Sequence, residues 1–340
     1  MSDFKSLLAA VKSGAALTQP EMRLAMDALL NNEVEEQDIA DFLLALRARG
    51  ETVDEIIAAA EAMRARALPV VAPKGAIDTC GTGGDGAGTF NISTAVAMIV
   101  AGCGVPVAKH GNRAASSRSG SSEVLAALGV NINAPPETIS RCIEKAGVGF
   151  MFAAYHHRAV AHVATVRKKL GVRTIFNVLG PLANPAGARR QLMGVFDAAL
   201  TRPLASALGA LGAERAWVVS GSDGLDELTT TGVSYVAELR DGVVREFEVS
   251  PEDAGLPRAA PECLKGGTPD ENADALRRLL AGERGPYRDI AILNAAAALV
   301  IADATQTLRD GAEMAAQSID EGRARNALAL LIAISNETST

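Results

Sequence analysis

Aromatic side chains are scarce in this chain: one tryptophan, three tyrosines and eight phenylalanines among 340 residues. A core must therefore be assembled from small and aliphatic groups, which suits closely packed, alanine-rich helices. Positive charge is not in excess either. The formal net charge is −7 at pH 7, which argues against general affinity for nucleic acid and makes any polyanion site a local one. The four cysteines, Cys80, Cys103, Cys142 and Cys263, form no C-x-x-C pair, so no disulfide framework is expected and a reducing cytosol is the natural setting. No apolar run is long enough to span a bilayer, and the stretch from Met1 lacks the charged-then-apolar pattern of a leader. A cytoplasmic protein with no membrane partner is the expectation. Internal repeats, low-complexity tails and any Ser–His–Asp or Cys–His arrangement are also missing.

What is present is ample apolar material, 48% of residues, and a length that fits one large domain or two. Residues 1 to about 70 read as helices alone. Thr18-Gln19-Pro20-Glu21 and Thr52-Val53-Asp54-Glu55 have capping-box spacing, opening helices over Glu21–Leu30 and Ile56–Ala67. Between them Gln37–Arg49 repeats Ile39, Phe42, Leu43 and Leu46 at helical spacing and stops at Gly50. These short amphipathic helices are too few to bury their apolar faces alone. From Val70 the pattern changes to strands at Ala76–Cys80, Val105–Lys109, Val148–Phe152, Leu192–Phe196 and Ala216–Ser220. Helices at Thr94–Gly102, Ser122–Leu128, Pro136–Ala146, His157–Leu170 and Leu200–Leu211 alternate with them. Such alternation implies a mainly parallel central sheet flanked by helices, with ligands at the carboxyl ends of the strands. Ser234–Glu248 reads as a hairpin turning at Arg240-Asp241-Gly242, and residues 270 to 336 return to helix. The fold class is thus α/β: a small all-helical domain, 1–70, plus a large α/β domain, 71–340.

The stretch Asp78-Thr79-Cys80-Gly81-Thr82-Gly83-Gly84-Asp85-Gly86-Ala87-Gly88-Thr89-Phe90-Asn91-Ile92-Ser93-Thr94 organises the rest. Five glycines between a strand and a helix let backbone N–H groups approach a ligand and form an anion nest. Asn91, Ser93 and Thr94 are good N-cap types, so the helix would present its positive end to the same space. A phosphate or pyrophosphate site follows. Gly81-Thr82-Gly83-Gly84-Asp85-Gly86 also matches G-x-G-x-x-G, the dinucleotide fingerprint. The helical run, however, begins only after Asn91, and the next strand ends in Lys109-His110-Gly111-Asn112-Arg113 rather than in an acid for a ribose diol.

That basic strand end continues through Ser116, Ser117, Ser119 and Ser121 as a second anion cradle, with Lys109 as a point charge for pyrophosphate. A third strand end, Ser220-Gly221-Ser222-Asp223-Gly224-Leu225-Asp226-Glu227, carries adjacent carboxylates. Opposite two anion sites they suggest Mg²⁺, which takes one or two carboxylates, waters and phosphate oxygens, with Ser93 a further oxygen ligand. The three strand ends are expected to share one cleft. His156, His157 and His162 are badly spaced for zinc and read as surface or polar-packing residues. Arg167 gains no role from spacing. Without a nucleophile, the chemistry expected is displacement of a leaving pyrophosphate stabilised by metal and cations.

Together, Gly81-Thr82-Gly83-Gly84-Asp85, Thr89-Phe90-Asn91-Ile92-Ser93-Thr94, Lys109-His110-Gly111-Asn112-Arg113, Ser116-Ser117, Gly120-Ser121, Val166-Arg167, Thr174-Ile175-Phe176-Asn177 with Gly180-Pro181-Leu182 and Asn184-Pro185, and Asp223-Gly224-Leu225-Asp226-Glu227 resemble the anthranilate phosphoribosyltransferase family over nearly the whole chain. The resemblance implies a helical domain joined in space by segments near 165–185, and a homodimer through that domain. It implies transfer of phosphoribose from 5-phosphoribosyl diphosphate to anthranilate in tryptophan biosynthesis, with two Mg²⁺ ions per subunit. By position, Gly81, Gly84, Asp85, Thr89, Asn91, Ser93, Thr94, Lys109, Ser117 and Ser121 would hold the diphosphate substrate. Ser93, Asp226 and Glu227 would hold magnesium, and Gly81, His110, Asn112 and Arg167 would meet anthranilate. Lys109, Asp226 and Glu227 would be the catalytic groups. Ala154 and Arg158 stand where the family often has proline, Ser122-Glu123 where it has Ala-Asp, and Ser220 where His is frequent. A pyrimidine-type nucleoside phosphorylase and a non-catalytic, nucleic-acid-binding homologue are the rival readings. The Asp226–Glu227 pair and the long serine loop favour diphosphate over phosphate, and the acidic charge disfavours nucleic acid.

Overall fold

A computed structural model describes residues 3–113 and 118–337. Contacts divide the chain into two compact units, one of residues 1–68 with 153–185, the other of 69–152 with 186–340.

The first unit is all helical: Phe4–Lys12, Gln19–Leu30, Glu36–Arg49, Val53–Arg64, Ala153–His156, Ala161–Leu170 and Phe176–Leu182. Both capping boxes form, Glu21 accepting the Thr18 N–H at 2.9 Å and Glu55 the Thr52 N–H at 2.8 Å. They extend the two helices upstream of the expected starts. Met22, Met26, Leu29, Phe42, Leu43 and Leu46 are wholly buried within this unit. The expected helix His157–Leu170 is broken instead. Residue 157 leaves helical geometry at φ −113°, ψ 55°, and a single 3₁₀ turn, Arg158–Val160, precedes the next helix. The break lets His156 and His157 both turn inward, whereas consecutive residues on an unbroken helix diverge by about 100°. Both are buried, and His156 Nδ1 lies 2.7 Å from the Leu68 carbonyl oxygen. They are packing residues of this unit, in accord with the polar-packing expectation and not with the surface one.

Burial lowers the His157 pKa from 6.5 to about 4, with the neighbouring His156 pushing the same way. The unfolded chain therefore takes up a proton near pH 6.5 that the folded one refuses until about pH 4. Stability is full above pH 6.5 and falls as pH drops through that window, by about 3 kcal/mol if the whole difference is expressed. Thermal unfolding followed from pH 7 to 4 should show this loss, and His157→Gln should remove it. An unchanged slope in the variant would assign the pH dependence to other groups.

The second unit holds one seven-stranded sheet. Its strands are β1 (Ile77–Gly81), β2 (Val107–Gly111), β3 (Val148–Phe152), β4 (Arg190–Gly194), β5 (Arg215–Gly221), β6 (Ser234–Arg240) and β7 (Val243–Val249). The order is β3-β2-β1-β4-β5-β6-β7, parallel through β5 and antiparallel beyond. β1, β2, β3 and β5 are buried along almost their whole length, as strands covered on both faces must be. The helices Ile92–Gly102, Thr201–Ala210 and Pro286–Ile301 pack against the sheet. The β6–β7 hairpin turns through Asp241 and Gly242, both at positive φ, matching the strand twist. The chain winds outward to β2 and β3, then back across β1 to β4, so the sheet's switch point falls between β1 and β4. Their last residues, Gly81 and Gly194, are register partners there. An open α/β sheet binds its ligands at such a point.

Candidate active site

β1 runs out at Gly81, and the chain then visits positive φ at Gly83 (63°), Gly84 (76°), Gly86 (71°) and Gly88 (62°) before the helix opens at Ile92. Only glycine adopts so many left-handed turns without strain. The loop is pinned at its start: Thr82 N–H donates to the Gly194 carbonyl at 2.9 Å, and Gly83 N–H to Asp226 Oδ2 at 2.7 Å. Asp85 turns back to accept the Ala87 N–H at 3.1 Å.

The helix start differs from expectation in one respect. Asn91 occupies the cap position, but its side chain does not cap. Its Oδ1 instead accepts from Asn272 Nδ2 at 2.9 Å and Ser119 Oγ at 3.3 Å. The positive end of the helix is met by a carboxylate, Ser93 N–H donating to Glu227 Oε1 at 3.0 Å. The hydroxyls of Thr82 and Thr94 are buried with no protein partner among the described residues. Unmet capacity of that kind is uncommon and suits a ligand rich in oxygen.

The acidic pair is delivered by the turn after β5. Asp223 braces that turn, accepting the Thr229 and Thr231 hydroxyls at 2.7 Å each. Asp226 and Glu227 then cross the ends of β4 and β1 at very short range. A Cβ placed on Gly81 would lie 2.3 Å from Asp226 Oδ2, and one on Gly194 only 1.5 Å from the Asp226 carbonyl oxygen. Lys109, on β2 and 1% exposed, donates to the Thr79 carbonyl at 2.5 Å and the Ser93 hydroxyl at 3.3 Å.

Burial, then the charge of Asp85, pushes the Asp226 carboxyl up to about 6. Burial and the charge of Asp226 push Glu227 well above its ordinary range, with Lys109 opposing. Burial lowers Lys109, against the pull of Asp78 and its other acidic neighbours. Carboxylates thus crowd around one ammonium, an arrangement that asks for a cation. Among the described residues no three His, Cys, Asp or Glu side chains form a closed metal cage. The donors fit magnesium, whose shell is completed by water and phosphate oxygens, and not a structural metal.

The structure therefore brings Gly81, Asp85, Ser93, Lys109, Asp226 and Glu227 together around the β1–β4 switch point, with Gly84 and Thr94 on the same loop and helix. Thr89 bridges to Lys265 on an antiparallel segment. His110 is buried, its N–H donating to Asp78 Oδ1 at 3.0 Å. Asn112 is exposed, and its carbonyl accepts the Ser121 hydroxyl at 3.2 Å. Ser117 lies outside the described residues. Arg167 belongs to the helical unit, where it donates to Thr174 Oγ1 and Asn177 Oδ1 at 3.1 Å each and lies 5.4 Å over the Phe176 ring. Those partners are neutral, and no ion pair engages it among the described residues. Reading the sequence missed Gly194, Lys265, Asn272 and Tyr287.

The chain matches the helical bundle domain of a glycosyl transferase family over residues 5–67 and the a/b domain of the same family over 73–325. It is 58% identical over 336 residues to the anthranilate phosphoribosyltransferase of Parvibaculum lavamentivorans, covering 99% of this chain and 98% of that one. The Rhodospirillum rubrum enzyme of that name is 59% identical over 333 residues, 98% and 96% of the two chains. Among solved structures, the anthranilate phosphoribosyltransferase of Thermus thermophilus superposes with a TM-score of 0.92 at 45% identity, covering 97% of this chain and 99% of its own. The Saccharomyces cerevisiae protein of that name, solved in complex with PRPP and Mg, gives 0.88 at 28%, covering 97% and 98%.

Proposed function

The chain belongs to the anthranilate phosphoribosyltransferase family, and we propose that it transfers the 5-phosphoribosyl group of 5-phosphoribosyl diphosphate to the amine of anthranilate. The products are N-(5-phosphoribosyl)anthranilate and diphosphate, in tryptophan biosynthesis. The observation that carries this reading is the convergence of the glycine loop, Lys109 and the Asp226–Glu227 pair at one sheet edge.

The bond between ribose C1 and the diphosphate oxygen breaks, its electrons leaving with diphosphate. A bond from the anthranilate nitrogen to C1 forms, and the nitrogen's proton passes to water. The Gly81–Thr94 stretch and the Lys109–Ser121 loop cradle the diphosphate substrate through Gly81, Gly84, Asp85, Thr89, Asn91, Ser93, Thr94, Lys109, Ser117 and Ser121. Asp226, Glu227 and Ser93 would hold magnesium, two ions per subunit, which would supply positive charge to a leaving diphosphate. Lys109, fixed under Ser93, places a cation at the floor of the same site. Gly81, His110 and Asn112 position anthranilate. Among the described residues the Arg167 guanidinium hydrogen-bonds to neutral oxygens alone, which leaves its charge for a carboxylate such as that of anthranilate. An aromatic amine is already neutral at pH 7, so no strong base is needed, and positioning supplies most of the rate. The active form is a cytoplasmic homodimer joined through the helical domain.

The test is direct. Anthranilate fluorescence should decline when the protein meets 5-phosphoribosyl diphosphate and Mg²⁺, and EDTA should stop it. A folded protein that binds the diphosphate yet leaves anthranilate untouched would point to another acceptor, with Ala154 and Arg158 the first positions to vary.

A further inference from the structure

The segment Leu264–Asn272, which runs from the 3₁₀ turn after the β6–β7 hairpin into the first turn of the helix Pro269–Leu280, does not merely start that helix. It runs antiparallel to the end of the glycine loop and is stitched to it. Phe90 N–H donates to the Leu264 carbonyl at 3.1 Å, and Gly266 N–H to the Gly88 carbonyl at 2.9 Å. The Lys265 ammonium caps the Ala87 carbonyl at 2.6 Å. The contact is tight, since a Cβ on Gly266 would sit 2.6 Å from the Thr89 carbonyl oxygen.

At the end of this strap lies Asn272, only 2% exposed, with both ends of its amide in use. Oδ1 accepts the Gly267 N–H at 2.7 Å, and Nδ2 donates to Asn91 Oδ1 at 2.9 Å. The same Asn91 amide spans to Ser119 on the second cradle, accepting from its hydroxyl and donating Nδ2 to its carbonyl at 3.3 Å each. Tyr287 closes the other side, stacked on Phe90 at 4.3 Å between centroids and donating to the Asn91 carbonyl at 3.3 Å. Three distant segments thus meet at Asn91. A buried amide with paired donors and acceptors can hold one orientation only, because a flip would oppose two donors and two acceptors.

We propose that Asn272 is a positioning residue for the diphosphate substrate: through the Asn91 amide it fixes the glycine loop and the second cradle relative to each other, with Lys265 fastening the loop at Ala87. This rests on the function proposed above. Its consequence is selective, because the strap's hydrogen bonds reach Asn91, assigned to the diphosphate substrate, and none goes to Gly81, His110 or Asn112, assigned to the acceptor, among the described residues.

The experiment compares Asn272→Asp, Asn272→Ala and the exposed Lys265→Met with the unaltered protein. Calorimetric titration with 5-phosphoribosyl diphosphate and Mg²⁺, without anthranilate, is combined with steady-state kinetics in both substrates. Asn272→Asp keeps the acceptor for Gly267 but loses the donor to Asn91. It should weaken diphosphate binding and raise that KM about tenfold, with the KM for anthranilate within twofold. Lys265→Met, which can fold even if Asn272→Ala does not, should raise the same KM about threefold. Thr268→Ala serves as control, since Thr268 caps the same helix through Glu271 and hydrogen-bonds to neither cradle among the described residues. If Thr268→Ala shifts the diphosphate KM as much as Asn272→Asp, or if both KM values move together, the role is structural support of the helix and the proposal fails. If the unaltered protein binds no diphosphate, it is the proposed function that fails. Normal binding by the unaltered protein and by all the variants alike sinks the strap alone.

Discussion

Replacing Asp226 by Asn and Glu227 by Gln together is expected to lower kcat/KM by roughly a thousandfold or more, about 4 kcal/mol of transition-state stabilisation, while leaving the fold at least as stable. The two halves of this expectation have the same cause. Desolvation, joined by the charge of Asp85 at Asp226 and by that of Asp226 at Glu227, holds both carboxylates above their ordinary range, so their charges oppose folding in the absence of a cation. The amides keep acceptors for the Gly83 and Ser93 N–H groups, so the loop and the helix start remain pinned. What they remove is the negative charge that attracts magnesium. In the unaltered protein, diphosphate with Mg²⁺ should raise the melting temperature by mass action, and in the double amide that increment should vanish. Retained activity with a retained magnesium response would reduce the pair to clasps for the glycine loop. The double alanine variant makes a poorer test, because it also unpins both N–H groups.

Much of this site was legible in the sequence because its parts are short, local and chemically loud. Five glycines in eight residues, a basic strand end and two adjacent acids each announce a chemistry, and parallel topology carries them to one edge. The two capping boxes were legible for the same reason, since their hydrogen bonds close within four residues. Longer relations left no such mark. Asn91 looks like a helix cap and is of a type that caps, yet Asn272, 181 positions away, takes its side chain. His157 has nothing against continuing a helix, but burying two consecutive histidines outweighs local preference. Arg167 was mute by spacing. Its environment of neutral oxygens comes from Thr174 and Asn177, a full turn of chain beyond its own helix.

Gly194→Ala should be the most damaging single methyl in the second unit. The added Cβ would lie 1.5 Å from the Asp226 carbonyl oxygen and 2.3 Å from its carbonyl carbon, where ordinary contact needs more than 3.4 Å. Both atoms are backbone, so no rotamer relieves the clash. The Asp226 segment must lift off the sheet by more than 1 Å, or β4 must retreat into a packed layer. Overpacking of this kind costs about 1–3 kcal/mol, and a displacement of that size at a reacting site can cost about a hundredfold in rate. Gly81→Ala offers the discriminating comparison, because its Cβ meets the same residue at the carboxylate, 2.3 Å from Oδ2, and a side-chain end can swing away. Gly81→Ala should therefore lose activity with a melting temperature close to that of the unaltered protein, whereas Gly194→Ala should lose both. Equal melting temperatures for the two variants would mean that the turn carrying Asp226 and Glu227 is soft. The close approach across the β1–β4 switch point would then not be what holds the acids in place.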